Sequence, residues 1–179
     1  VLKTFRDQYL SSLARCSKGG AMVIDKMPHN FRYLGLINAA LPEAKIIHVK
    51  RDPAAVCWGN YTKYFAKNSL AYCYSLSDIL HYHRLYEGLM QFWHQALPGR
   101  IYDLDYERLT ENQEEEIRKL ISSLGLDWDD ACLSPQDNKR GVATASSIQV
   151  RQKIYKGSSE RWKRYQPYLN GALDHFHSE

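Results

Sequence analysis

The sequence predicts an α/β domain in which a parallel β-sheet is flanked by helices. Short apolar runs bounded by glycine or proline, a pattern typical of buried strands, alternate with longer segments whose apolar residues recur every three or four positions. Strands that alternate with helices form parallel sheets, because a helix is the usual connection between parallel strands. The chain has 179 residues, 44% of them hydrophobic, so we expect one domain over 1–179 with its own core.

The first half of the chain is predicted to contain two strands and three helices. Helical spacing covers 2–16, 31–41 and 53–65, and the short apolar runs that indicate buried strands are 21–25 and 45–49. Asn30 is placed to cap the second helix, since a short polar side chain can accept a hydrogen bond from the first amides. Asp52 and Pro53 form the corresponding start of the third helix.

The second half is predicted to add one strand and three helices. The expected elements are a long helix at 78–96, a strand at 100–106, a helix at 112–124 and a short helix at 158–168. Gly125 is expected to end the helix before it. Residues 127–157 lack periodicity and are predicted to be mostly loop.

Composition restricts the classes of function. With 24 basic and 20 acidic residues the net charge is +4, which suits an anionic ligand. Basic and aromatic residues at 151–168 are the argument for nucleic-acid binding, but the modest charge makes us expect none. The four cysteines form no C-x-x-C pair, so we expect no metal, and reduced thiols in a cytoplasmic protein. The sequence shows no signal peptide, and no apolar run approaches the roughly 18–20 residues of a membrane span.

The clearest local pattern is an anion site around Arg51, between the predicted strand at 45–49 and the helix that starts at Asp52. The amides of a helix N-terminus attract anions, and the arginine adds a fork suited to phosphate. Gly59 and Lys63 are four residues apart, so we expect them to share one face of that helix. The alternative is an arginine that pairs with Asp52 on the surface.

Two further segments carry groups that could act on the same ligand. Lys26 follows the predicted strand at 21–25, where a lysine can stabilise negative charge during group transfer. The segment 144–162 combines hydroxyl groups, cations and aromatic rings, which suit a phosphate and a base. A solvated lysine and a basic surface loop are the respective alternatives.

Four blocks of the sequence resemble, in order, bacterial PAPS-dependent sulfotransferases of the kind often fused to tetratricopeptide repeats. They are DKMPHNFRYLGLINAALPEAKIIHVKRDP, ALPGRIYDLDYERL, LGLDWDDACL and TASSIQVRQKIYKGSSERWKRY. The tyrosylprotein sulfotransferases look like more distant relatives. The resemblance implies a P-loop NTPase-like sulfotransferase fold, and PAPS (3′-phosphoadenosine 5′-phosphosulfate) as co-substrate.

The resemblance also implies roles for individual residues around the 3′-phosphate and the adenine. Arg51 matches the arginine that binds the 3′-phosphate, whereas Gly59 replaces its usual serine partner. Tyr106 matches a tyrosine near the adenine. Tyr155, Lys156 and Gly157 are similar to an R-K-G…W element, which suggests Lys156 and Gly157 at the 3′-phosphate, and Lys63 matches a position that is basic in some relatives and contacts the same region.

Around the transferred group the match is less complete. Lys26 matches the lysine that stabilises the sulfuryl group or the bridging oxygen, and Ser146 or Ser147 matches a serine near the phosphosulfate. Ala143 stands where the bacterial block often has an arginine. The G-x-P-R-S-G-T-T block that holds the 5′-phosphosulfate is not found, so we expect an N-terminally incomplete fold and little turnover.

The expected function is therefore transfer of a sulfuryl group from PAPS to an unknown hydroxyl or amine acceptor. The alternative is a non-catalytic module that binds 3′-phosphoadenosine nucleotides or a protein partner. An incomplete sheet exposes an unpaired edge, which would favour a homodimer.

Overall fold

The computed structural model describes residues 1–17, 20, 22–65, 68–138 and 151–177. The helices are α1 (Leu2–Ser17), α2 (Leu34–Ala40), α3 (Pro53–Tyr61), α4 (Leu76–Ala96), α5 (Tyr106–Glu111) and α6 (Gln113–Leu124). The strands are β1 (Ile46–Lys50) and β2 (Ile101–Asp105), which pair in a parallel sheet. The predicted α/β class, a parallel sheet flanked by helices, is confirmed.

The first of two compact units comprises Val1–Ile46 and Arg84–Ile101. Its side-chain hydrogen bonds join distant parts of the sequence. Trp93 Nε1 donates to the carbonyl oxygen of Phe31 at 2.8 Å, and the Tyr9 hydroxyl lies 2.5 Å from Asp25 Oδ2. Burial and, next, this hydrogen bond raise the pKa of Tyr9 to about 12.

The second unit comprises Ile47–His83 and Tyr102–Glu179 and contains all but the first residue of each strand. Its buried core is built on α3 and α4 and is completed by a 3-10 segment, Ser158–Arg164, and by Leu173. Trp162 of that segment is only 2% exposed. The core therefore fixes the segment after Gly157 against the helix that follows Arg51. The prediction of one domain over 1–179 stays a prediction.

The predicted strand at 21–25 is wrong. Residues 22–25 have no regular structure, and the side chain of Ile24 is 90% exposed. A strand is stable only with a hydrogen-bonded neighbour, and β1 and β2 pair only with each other among the described residues. The strand predicted at 45–49 is confirmed as β1, but Ile47 and Val49 are exposed rather than buried.

Helix prediction succeeded where the periodic pattern was long. The predictions for α1, α4 and α6 are confirmed, with Gly125 as a left-handed cap at φ 70°. Asn30 does not cap a helix; it lies in a 3-10 turn, Asn30–Tyr33, that precedes α2. The expected helix at 158–168 forms two 3-10 segments, Ser158–Arg164 and Gln166–Tyr168. No helix within the described ranges is long and apolar enough to span a membrane.

Candidate anion-binding site

Arg51 directly follows β1, and its guanidinium faces the segment that begins at Ser158. Arg51 Nε donates to Ser159 Oγ at 3.1 Å, and Nη2 makes a longer contact of 3.5 Å with Ser158 Oγ. The guanidinium carbon lies 4.8 Å from the centre of the Tyr106 ring. Two hydroxyls and an aromatic ring thus hold this half-buried cation in place.

The guanidinium of Arg51 is engaged by hydroxyl groups and an aromatic ring within the described part of the chain. The guanidinium forms no ion pair with any carboxylate of the described residues. A guanidinium has five N–H groups, and the two contacts to serine use one side of it. The terminal edge keeps N–H groups in the geometry that binds phosphate or carboxylate through two parallel hydrogen bonds.

The N-terminus of α3 is occupied by the carboxylates of the protein itself. Asp52 caps the helix, as predicted, by accepting the Ala55 amide at 2.6 Å, and Pro53 has no amide hydrogen. The Asp52 amide lies 3.2 Å from both carboxylate oxygens of Glu107. Two of the amides expected to bind an anion, those of Asp52 and Ala55, thus already have carboxylate partners within the protein, so the prediction of an anion site rests mainly on Arg51.

Asp52 does not pair with Arg51 either. Its second carboxylate oxygen lies 3.1 Å from His177 Nε2. The alternative interpretation of Arg51, a surface ion pair with its neighbour, is thereby excluded.

The two serines next to Arg51 were not recognised from the sequence. Ser158 and Ser159 are 9% and 6% exposed, and Ser158 Oγ also lies 3.0 Å from the Tyr106 hydroxyl. Gly157 precedes them with φ 77°, a left-handed conformation that glycine adopts without strain. The sequence feature that could have identified the two serines is their position directly after Lys156 and Gly157, which were predicted to bind the 3′-phosphate.

The comparison with known proteins decides the family. A sequence model described as "Sulfotransferase family" matches residues 2–130, most of the chain. The chain belongs to the sulfotransferase family. It is also 40% identical over 176 residues to an uncharacterized protein of Aquifex aeolicus. That alignment covers 97% of this chain and 23% of the relative, so the chain spans about a quarter of the relative's length.

In this sulfotransferase-family chain, the described site residues that were predicted in the second unit fall into two groups. One lies at or next to Arg51, and the other consists of Gly59 and Lys63. Arg51 and Tyr106 are in contact, and Gly157 begins the segment that supplies the serines. Tyr155 and Lys156 immediately precede that glycine and are exposed. The structure therefore brings Arg51 to the two serines that directly follow the predicted pair Lys156 and Gly157.

Gly59 and Lys63 do not share a helical face. Helix α3 ends at Tyr61, rather than near residue 65, and Thr62 caps it, so Lys63 lies in the turn beyond. A side chain added at Gly59 would meet nothing within 4 Å. The spacing argument fails because it assumed a helix one turn longer than the one that forms.

The remaining predicted residues are Lys26, Ser146 and Ser147. Lys26 is exposed in the irregular segment of the first unit, so the strand end that was expected to position it does not exist. Ser146 and Ser147 lie outside the described residues. Their predicted roles stay predictions.

Proposed function

We propose that this chain binds the adenosine 3′,5′-bisphosphate part of PAPS and that Arg51 binds the 3′-phosphate. The observation that supports this is the half-buried guanidinium held by Ser158, Ser159 and the Tyr106 ring without an ion pair to any described carboxylate. A fixed cation with an open terminal edge suits a phosphate dianion. Membership of the sulfotransferase family supports the 3′-phosphate of PAPS as the ligand, because this family typically uses PAPS as co-substrate.

The proposed reaction of the whole protein is sulfuryl transfer to a hydroxyl or amine. A bond forms between sulfur and the acceptor atom, the bond from sulfur to the 5′-phosphate oxygen breaks, and a general base takes the acceptor proton. Adenosine 3′,5′-bisphosphate leaves. Such a transfer needs the donor held in line, so the contribution of Arg51 is positioning of the nucleotide.

The other predicted residues complete the proposal. Lys156 adds charge at the 3′-phosphate, and the exposed ring of Tyr155 is available to the adenine. Lys26 stabilises the bridging oxygen or the sulfuryl group, and Ser146 or Ser147 contacts the phosphosulfate. These roles follow from the family resemblance.

Nucleotide binding is the property to test in this chain, and turnover is a property of the whole protein. The 179 residues contain no G-x-P-R-S-G-T-T block for the 5′-phosphosulfate. This absence favours the second candidate, a nucleotide-binding module without turnover, for the chain taken alone. Both candidates share the proposed 3′-phosphate site.

Calorimetry with two nucleotides tests the site. Adenosine 3′,5′-bisphosphate should bind more tightly than adenosine 5′-monophosphate, which lacks the 3′-phosphate. Arg51→Ala should remove that preference, weakening the bisphosphate by about 1.5–3 kcal/mol, the range for hydrogen bonds to charged groups.

A matched control removes the same charge elsewhere in the second unit. Arg118 pairs with Glu114 at 2.8 Å, and Arg118→Ala should leave both affinities unchanged. Equal affinity of the wild-type protein for the two nucleotides, or an unchanged preference in Arg51→Ala, would contradict the proposal.

A further inference from the structure

Glu107 connects the N-terminus of α3 with the serines that face Arg51. It lies in the first turn of α5, directly after Tyr106, and its carboxylate is half-buried. Both carboxylate oxygens lie 3.2 Å from the Asp52 amide, and one also accepts the hydroxyl of Ser159 in a short hydrogen bond. One side chain therefore fixes two elements that flank Arg51.

The hydroxyl of Ser159 has a single proton, and this sets the direction of the hydrogen bonds. Because that proton goes to Glu107, the lone pairs of Ser159 Oγ remain available to accept from Arg51 Nε at 3.1 Å. The order of donation runs from Arg51 to Ser159 and from Ser159 to Glu107. The carboxylate thus favours engagement of the Nε side of the guanidinium, and no described residue forms a hydrogen bond with Nη1 on the terminal edge.

The position of Glu107 conflicts with a simple electrostatic view of an anion site. A negative charge next to the proposed phosphate position repels the ligand, and removing it would strengthen binding if charge alone mattered. Glu107 makes no ion pair with Arg51 that could explain its presence. Its contacts are all hydrogen bonds that hold neighbouring groups in place.

We infer that Glu107 is a positioning residue, which holds Ser159 so that Arg51 presents its terminal edge to the 3′-phosphate. This inference rests on the proposed function, because the nucleotide is the ligand that reports it. It makes a prediction of opposite sign to the charge argument. Glu107→Gln should weaken the binding of an anionic nucleotide although it removes a negative charge.

The physical reason is that glutamine cannot replace both acceptors of the carboxylate. Its single amide oxygen can serve the Asp52 amide or the Ser159 hydroxyl, and its NH₂ group would donate towards the other. A donated hydrogen would compete with Arg51 Nε for the lone pairs of Ser159. The guanidinium would then lose its fixed orientation.

The test is calorimetry with adenosine 3′,5′-bisphosphate on the wild type, Glu107→Gln, Ser159→Ala and the double variant. We expect each single variant to bind about tenfold more weakly, the effect of one charge-assisted hydrogen bond. The double variant should bind no more weakly than the weaker single variant, since both changes break the same chain of hydrogen bonds. Melting temperatures would show that each protein is folded.

A matched control removes the carboxylate of Glu160, which lies in the same 3-10 segment as Ser159, and leaves Ser159 unchanged. Glu160 is exposed and pairs only with Lys163 among the described residues, so Glu160→Gln should change the affinity by less than about twofold. This control measures the effect of net charge alone.

Two results would overturn the inference while the proposed function stands. One is a Glu107→Gln or Ser159→Ala variant that binds the bisphosphate as tightly as the wild type, while Arg51→Ala still loses affinity. The other is a double variant whose losses add. A wild-type protein that does not prefer the bisphosphate over adenosine 5′-monophosphate would instead overturn the proposed function, and with it the basis for this inference.

Discussion

Arg100 of the first unit and Arg51 of the second show two different uses of an arginine. The guanidinium of Arg100 donates to acceptors of the protein at 2.6–3.3 Å: the side-chain oxygen of Asn38 and the carbonyl oxygens of Pro42 and Ala44. Arg51 has two serine hydroxyls and an aromatic ring instead. Arg100 ties helix α2 and the turn after it to the start of β2, whereas the proposal assigns part of the hydrogen-bonding capacity of Arg51 to a ligand.

One tryptophan of each unit, Trp93 and Trp162, shows a similar contrast. The indole N–H of Trp93 has an acceptor, the carbonyl of Phe31 at 2.8 Å. That of Trp162 is buried and has no acceptor among the described residues. The Trp93 indole thus contributes a hydrogen bond to the first unit, whereas the Trp162 indole contributes its packing.

The largest expected effect concerns Trp162, which is 2% exposed and packs with Ala54, Ala55 and Leu173 in the core. Trp162→Ala should lower the free energy of unfolding by about 3–5 kcal/mol, because it leaves a large cavity. Trp162→Phe should lose less than half as much, since it keeps a ring and removes a donor that has no acceptor. Urea denaturation measures both.

The Trp93 variants provide the comparison. Trp93→Phe removes an indole N–H that donates a hydrogen bond within the protein, so it should lose a larger share of the Trp93→Ala effect. If Trp→Phe loses the same fraction of the Trp→Ala effect on unfolding free energy at positions 93 and 162, the indole N–H groups of the two residues contribute equally to stability.

An intermediate effect is expected for Arg100→Ala. The change removes a side chain that donates hydrogen bonds to three acceptor oxygens. It should therefore lower the free energy of unfolding by about 1–2 kcal/mol. Arg51→Ala should cost less than about 1 kcal/mol, because Ser158 and Ser159 keep Tyr106 and Glu107 as partners.

The two arginine variants should differ in the opposite direction when nucleotide binding is measured. Arg51→Ala is expected to lose affinity, and Arg100→Ala is expected to keep it at a temperature where the protein is folded. A nucleotide affinity that falls with Arg100→Ala would break the division between structural and ligand-binding arginines.

The smallest expected effect concerns Gly59 in α3, where an added side chain meets nothing within 4 Å. Gly59→Ala should raise the free energy of unfolding by about 0.5–1 kcal/mol, because alanine loses less entropy in a helix. Gly59→Ser restores the hydroxyl expected from the family pattern and should tighten bisphosphate binding by about 1 kcal/mol relative to Gly59→Ala. Calorimetry on the two variants isolates the hydroxyl, and identical affinities would place residue 59 away from the phosphate.

Local signals in the sequence predicted much of the chain correctly. Long periodic segments gave α1, α4 and α6, and the Asp52 cap followed from the identity of one side chain and the proline after it. These features depend on residues within one or two turns of each other. Such interactions are visible in a window of the sequence.

The error at 21–25 has a different origin. The apolar run there satisfies the pattern of a buried strand, but whether it forms a strand depends on a neighbour from another part of a chain. The side chain of Ile24 is instead 90% exposed. Composition and spacing at this segment carry no information about that neighbour.

The sequence by itself determined the α/β class, the position of Arg51 between β1 and α3, and the resemblance that pointed to the family. Only the tertiary structure placed Ser158 and Ser159 against Arg51, more than 100 residues away, and the Glu107 carboxylate on the Asp52 amide. A side chain's own chemistry is fixed by its identity. The partners that saturate it, and so whether its charge is left for a ligand, depend on which distant segments the core brings together.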